Sequence, residues 1–269
     1  MGLPDKLTRL VLERRGSDGA VAWLTLSNPT MRNAMDEPMQ QELIATVRAL
    51  ALDDGVRCVV VRGQGEVFSS GGDIGAFQGM GPDKTHWYAT QRGEPVQDAV
   101  ARLGKPLVAA VDGWCLAGGC ELLLMADFAY STRSAKFGLT EIRIGLLPGW
   151  GGITRLPQVV GLRRAREMLY RGEIIDAAEA HRLGLVNRCF DSADALYAAA
   201  AETAGEIAAK SRPAIRAARE LTGLVSGRDD ALCMALERGA VAYLSGTADA
   251  REGVSAFLEK RTPRFNQTT

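Results

Sequence analysis

Asp112-Gly-Trp-Cys-Leu-Ala-Gly-Gly-Cys-Glu121, followed by Leu-Leu-Leu-Met-Ala126, joins a glycine-rich turn to an apolar helix that carries a carboxylate at its start. An ionised group there needs a partner, a helix N-terminal dipole or a raised pKa. Twenty residues on, Glu141 stands in Phe137-Gly-Leu-Thr-Glu141-Ile142, ahead of Pro148-Gly-Trp-Gly-Gly152. Two carboxylates beside glycine-rich backbone can divide acid/base work, one taking a proton from water while the other donates one. Each has a plainer reading when taken singly: Glu121 as a first-turn carboxylate placed for the dipole, Glu141 as a surface charge beside a strand. Ile142, Ile144 and Leu146 predict a buried surround for Glu141, which would raise its pKa and suit it to donating a proton.

Outward from this stretch, the N-terminal side reads as strand, helix, strand. Pro106-Leu-Val-Ala-Ala-Val111 is a buried strand preceded by a helix near Val96 to Leu103. Val67-Phe-Ser-Ser-Gly-Gly-Asp-Ile74 continues the strand pattern, and Val56-Arg-Cys-Val-Val-Val61 is a buried strand closed by the turn Gly63-Gln-Gly65. Asp36 is the N-cap of a helix with Pro38 in its first turn; Met39, Leu43, Val47 and Leu50 recur at helical spacing until Asp53-Asp54-Gly55. Val21-Ala-Trp-Leu-Thr-Leu26 alternates as a half-buried strand, and Asn28-Pro29 breaks it into a loop holding Met31-Arg-Asn-Ala34. This order makes the first two thirds α/β. The stretch Gly75 to Glu94, with Trp87 and Tyr88, is the least regular and is expected to cover or line a pocket.

From about Ser192 the composition turns to alanine-rich helical patterns: Asp194 to Lys210, Arg212 to Leu224, Asp229 to Leu244 and Ala248 to Lys260. The expected division is therefore 1–191 as core and 192–269 as a helical region. The amphipathic segment from Ala248 must bury its apolar face against the core or against another copy. Thirty-two basic residues balance 32 acidic ones, so no bulk field attracts nucleic acid or a membrane surface. Neither partner is expected. Cys58, Cys115, Cys120, Cys189 and Cys233 show no metal-ligand spacing and read as reduced core thiols. No apolar run reaches the roughly 18 residues of a membrane span, and a cytoplasmic location is expected. His181, in the helical pattern Asp176 to Leu183, is read as structural, and Arg163-Arg164-x-Arg166 as a solvated helix face. No dinucleotide fingerprint or P-loop is present.

Four motifs together resemble the crotonase superfamily, and within it enoyl-CoA hydratase: Arg32-Asn33-Ala34; Phe68-Ser-Ser-Gly-Gly-Asp-Ile74; Asp112 to Glu121; and Phe137 to Glu141 with Gly145-Leu-Leu-Pro-Gly-Trp-Gly-Gly152. A fifth, Glu252-Gly-Val-Ser-Ala-Phe-Leu-Glu-Lys-Arg261, closes the chain. The resemblance implies a spiral of ββα units, a helical C-terminal region that packs homotrimers or homohexamers, and an acyl-CoA substrate. It implies no metal and no cofactor beyond the coenzyme A of the substrate. It places an oxyanion hole at the N–H groups of Gly72 and Gly118, with roughly 3 kcal/mol lost per donor removed. Glu121 would activate water and Glu141 would protonate the α-carbon. Arg32, Phe257 and Lys260 match positions near the coenzyme A, the last two reaching from a neighbouring copy. Ala34, Ser70, Gly71, Asp73, Ile74, Trp114, Gly119 and Pro148 match positions along the substrate. Gly75 stands where many relatives carry a lysine, which leaves the phosphate contacts open. Isomerisation, hydration of a branched, carnitinyl or aromatic acyl-CoA, and a non-catalytic RNA- or partner-binding role remain alternatives.

Overall fold

Val21–Leu26 is buried at every position rather than at every second one, because it lies inside a sheet covered on both faces. The computed structural model describes residues 6–16, 18–78, 81–88, 91, 94–224 and 230–267. β1 (Leu10–Arg15) pairs antiparallel with β2 (Val21–Leu26), and α1 (Glu37–Leu52) crosses over to β3 (Cys58–Gly63), parallel to β2. Asp36 caps α1 as expected, its side chain accepting from the Met39 N–H at 3.0 Å. β4 is short (Val67–Ser69): the chain leaves the extended conformation after Ser69, keeping a single bridge between Met35 and Gly72. The strand expected to reach Ile74 instead enters a 3-10 turn at Ile74–Phe77.

α2 (Pro82–Tyr88) forms inside the stretch expected to be irregular, and α3 (Glu94–Ala101) is the helix expected near Val96 to Leu103. The side chains of Trp87 and Tyr88 lie outside the described residues. β5 (Leu107–Val111), β6 (Trp114–Leu116), α4 (Gly118–Met125), β7 (Phe128–Thr132) and β8 (Lys136–Gly138) follow. After a 3-10 turn at Glu141–Ile144 come α5 (Gly152–Val160), α6 (Leu162–Arg171), β9 (Ile175–Asp176), α7 (Ala177–Arg182) and β10 (Arg188–Phe190). The strands form two sheets, one in the order β1-β2-β3-β5-β7-β10 and a smaller one in the order β4-β6-β8-β9.

Side chains alternate across the larger sheet with the period of two that a strand imposes. Ala22, Leu24, Val59, Val61, Leu107 and Ala109 face the main core with α1, α3 and α4. Trp23, Cys58, Val60, Val108 and Ala110 face α8 (Ala193–Ala208), which meets them through Leu196, Ala200, Ala204 and Ala208. Small residues on α8 let the helix lie close to the aromatic and β-branched surface beneath it.

α9 (Arg212–Leu224), α10 (Asp230–Ser245) and α11 (Ala248–Leu258) complete the chain. Asn266 pins their far end, donating to the Lys210 carbonyl at 2.8 Å and accepting from the Arg212 N–H at 2.9 Å. The apolar face of α11 does not fold back on the core, since Phe257 is 83% exposed and Leu258 74%. Arg164, read as part of a solvated face, is instead the centre of an ion-pair cluster with Glu167, Glu173 and Glu179. The five cysteines are free, and four of them are buried.

Candidate active site

The loop at Asn28–Ala34 sets the floor of the site. Asn33 is fully buried; its Nδ2 donates to the carbonyls of Gln64 (3.0 Å) and Val67 (2.7 Å), and its Oδ1 accepts from the Asn28 N–H (2.9 Å). Ser69 Oγ donates to the Asn33 carbonyl (2.8 Å) and accepts from the Gly71 N–H (3.1 Å). The Ser70 N–H donates to the Arg32 carbonyl (3.0 Å), and the Met35 N–H to the Gly71 carbonyl (2.8 Å). These bonds fix the peptides on both sides of Gly71. A side chain at Gly71 is excluded twice over, by φ of +104° and by the Ala117 Cβ, 2.6 Å from where its own Cβ would sit.

Across from this loop, α4 begins at Gly118 after Ala117, a non-glycine residue held at φ +47°, ψ −125°. Strain of this kind persists only where neighbours over-determine the backbone, and here the Ala117 N–H is tied to the Gly138 carbonyl at 2.8 Å. The Cβ position of Gly118 lies 3.4 Å from the Gly72 nitrogen, so the two glycine peptides are in contact. Neither the Gly72 nor the Gly118 N–H has a hydrogen-bond acceptor among the described residues. The Gly118 N–H is in addition one of the first-turn donors that a helix cannot satisfy internally.

Glu121, in the first turn of α4, is 3% exposed. Its Oε1 accepts from the Trp150 N–H at 2.6 Å and the Gly152 N–H at 2.8 Å, at the N-terminus of α5. Burial pushes its carboxyl above the usual range, while the N–H groups of Gly152, Trp150 and Gly149 and the Arg155 guanidinium draw it back. Glu141 opens the 3-10 turn. Burial, opposed by its own N–H and reinforced by the neighbouring Glu121 charge, pushes its carboxyl up to about 7. Its Oε2 is buried with no hydrogen-bond partner among the described residues, which favours the neutral acid.

Both carboxyl groups line a cavity of about 450 Å³ with Ser70, Gly72, Ile74 and Gly118. The surround expected from Ile142, Ile144 and Leu146 does not bury Glu141: all three are exposed, because the 3-10 turn runs along the surface with its carboxyl turned inward. Leu116 and Trp150 line the same cavity, whereas Trp114, 46% exposed on β6, is not among the lining residues. Gly71 and Gly119 act through packing; a Cβ at Gly119 would come within 2.7 Å of Ser69. Ala34 is buried under the loop, Asp73 accepts from the Gly75 N–H at 2.9 Å, and Arg32 is exposed, its guanidinium with no partner among the described residues. Pro148 lines an adjoining apolar cavity, and Phe257 and Lys260 line neither. His181 bonds the Val186 carbonyl through Nδ1 at 3.1 Å, a structural contact.

The site pairs two unengaged backbone donors with one buried and one half-buried carboxyl group in a single cavity. A family model described as enoyl-CoA hydratase/isomerase matches residues 16–268. The chain belongs to the enoyl-CoA hydratase/isomerase family. It is 37% identical, over 93% of its length and 95% of the relative's, to a probable enoyl-CoA hydratase of Rhizobium meliloti. It is 33% identical to the crotonyl-CoA hydratase of Syntrophomonas wolfei, covering 95% of this chain and 97% of that one. The crystal structure of an enoyl-CoA hydratase from Bacillus anthracis superposes with a TM-score of 0.91 at 30% identity, covering 96% and 99% of the two chains. Among the described residues no group of three His, Cys, Asp or Glu side chains is placed to hold a metal, and no helix is long and apolar enough to cross a membrane.

Sequence reasoning missed several of the groups that shape this enoyl-CoA hydratase/isomerase site. Trp150 and Gly152 were legible as a turn, but nothing local marks their N–H groups as the donors to Glu121. Ala117 carries no sign of its positive φ. Arg155 and Gln97, joined at 3.1 Å beneath that turn, are 58 residues apart.

Proposed function

We propose that the chain adds water across the α,β double bond of an enoyl-CoA thioester. The observation that carries this reading is the unengaged N–H pair of Gly72 and Gly118 opening on the cavity that also holds Glu121 and Glu141. In the proposed mechanism the thioester carbonyl oxygen accepts from both N–H groups. Glu121 takes a proton from water, the water oxygen bonds to the β-carbon, and the π electrons move through the α-carbon to the carbonyl oxygen, giving an enolate. Preorganised donors aimed at that oxygen stabilise the developing charge, each worth roughly 3 kcal/mol. Glu141, protonated near neutrality, then delivers its proton to the α-carbon, and the proton on Glu121 restores it through solvent. The division of labour follows the electrostatics: Glu121 has donors that favour its anion, while Glu141 has a buried oxygen that favours its acid.

Arg32 is suited to the phosphates of coenzyme A, being exposed and unpaired among the described residues. Phe257 and Lys260 are assigned to the coenzyme A held by a neighbouring copy, in a homotrimer or homohexamer joined through α9 to α11. The exposed apolar faces of those helices support this. The chemistry needs no further cofactor, because the thioester carbonyl itself accepts the electron pair.

The test is ultraviolet absorbance of crotonyl-CoA and longer enoyl-CoA esters with the purified protein, the product identified by mass. Loss of the enoyl absorbance with gain of one water is expected. A shifted double bond with no 3-hydroxy product, or no reaction together with no α-proton exchange in heavy water, would overturn the reading.

A further inference from the structure

The turn that holds Glu121 is itself held by a charge. The two donors, Trp150 N–H and Gly152 N–H, belong to the peptides on either side of the Trp150–Gly151 peptide. Arg155, one turn into α5, reaches back beneath this middle peptide: its Nη1 donates to the Trp150 carbonyl at 3.0 Å and to Gln97 Oε1 of α3 at 3.1 Å. The Gly151 carbonyl in turn accepts from the Arg155 N–H at 2.9 Å. At Gly151, φ is +93°, and a Cβ there would fall on the Arg155 guanidinium. The turn and the guanidinium are thus built around each other.

We propose that Arg155 is a positioning residue for Glu121, clamping the Trp150–Gly152 turn so that both N–H donors bear on its carboxylate, with Gln97 setting the direction of the guanidinium. This rests on the hydratase reading, in which Glu121 works as the base. The clamp acts in two ways. It removes the freedom of the middle peptide to rotate, and it places a half-buried positive charge near a carboxylate that burial would otherwise neutralise. Among the described residues the charged groups that face Glu121 are Arg155 from α5 and Glu141 from the 3-10 turn, which act in opposite senses. Lysine could keep the charge but not the fixed planar geometry in which the Arg155 Nη1 donates to both acceptors.

Arg155→Leu is expected to lower kcat about tenfold or more with KM within about twofold of the unsubstituted enzyme. The acid limb of the kcat profile should move to higher pH, since the base would be protonated sooner. Arg155→Lys should keep the limb near its original position while recovering only part of kcat. A ¹³C titration of the glutamate carboxyl groups, with Glu121 assigned from Glu121→Gln, should show its pKa higher in Arg155→Leu whatever the substrate. Should Arg155→Leu fail to fold, Arg155→Lys and Gln97→Leu decide by the same two readings, a lower kcat at unchanged KM being expected of both. An unmoved Glu121 titration with kcat within about twofold of the original overturns the proposal. Glu121→Gln with undiminished turnover overturns instead the hydratase reading beneath it.

Discussion

Glu121 and Glu141 are the same side chain held in two different ways. Glu121 sits deep in the fold but meets backbone N–H groups aimed at one oxygen. Glu141 lies nearer the surface, yet one of its oxygens is sealed without a partner. Glu121→Gln and Glu141→Gln should each lower kcat by about 10²–10⁴ with KM little changed, because a group that transfers a proton acts on the transition state. Steady-state kinetics on an accepted enoyl-CoA checks this, and near-normal kcat in either variant would remove that residue from the mechanism. Because the Glu141 carboxyl is raised from 4.5 to about 7, kcat should fall as pH rises through about 7, where the acid is lost. The same shift has a stability consequence. Between 4.5 and about 7 the folded protein binds more protons than the unfolded chain, so stability falls with rising pH across that window. Glu141→Gln removes this dependence: it should leave the thermal midpoint unchanged at pH 4.5 and raise it above pH 7, by on the order of 2 kcal/mol in stability. Scanning calorimetry at the two ends of the window gives the comparison, and a parallel pH dependence in both proteins would refute it.

At the scale of elements, the site depends on how closely α4 approaches β4. Gly119 permits that approach, since a Cβ there would lie 2.7 Å from both Ser69 Cβ and the Ser69 carbonyl oxygen. Gly119→Ala must push the first turn of α4 away from β4, and with it the Gly118 N–H. It should cost about 1–3 kcal/mol of stability, the usual range for overpacking, and should lower kcat at the same time. Gly205, in the last turn of α8, makes the contrasting case, with nothing within 4 Å of its Cβ position. Gly205→Ala should stabilise by ~0.5–1 kcal/mol through backbone entropy alone and leave kcat unchanged. Thermal unfolding of the pair, read beside their kinetics, separates close packing at the oxyanion donors from a general intolerance of added methyl groups.

Across the whole molecule, the C-terminal helices present more apolar surface than a solitary chain needs. Val241 and Tyr243 on α10 and Val254 on α11 are exposed along with Phe257 and Leu258. The proposed contact with other copies of the chain would cover these side chains. Val241→Glu combined with Tyr243→Glu should lower the mass measured by light scattering from a multiple of 28.8 kDa to the single chain, as should truncation before Ala248. An unchanged mass in both would place the contact elsewhere.

Several elements were legible along the chain because their signals are local. The cap at Asp36, the periodicity of α1, the buried runs of β3 and β5, and the alanine-rich helices each follow from neighbours within a few residues. β4 was legible but was read on to Ile74, past its end at Ser69. The three-residue strands β6 and β8 were not, because a period of two cannot be counted over so short a run, and they are held by pairing with their neighbours in the smaller sheet. β1 was hidden by its polar residues; it is a sheet-edge strand, with every second position free of the core. By itself, the sequence determined the α/β class, the helical C-terminal region and the residue types of the site, including both glutamates and the glycines beside them. Tertiary structure alone decided that Trp150 and Gly152 serve Glu121, that Arg155 and Gln97 stand behind them, and that Ala117 is strained. It also decided that the half-buried Glu141 has one oxygen sealed despite exposed neighbours. A hydrogen bond or a desolvation cost depends on what lies within a few ångströms in space, and for these residues that surrounding comes from segments tens of residues away.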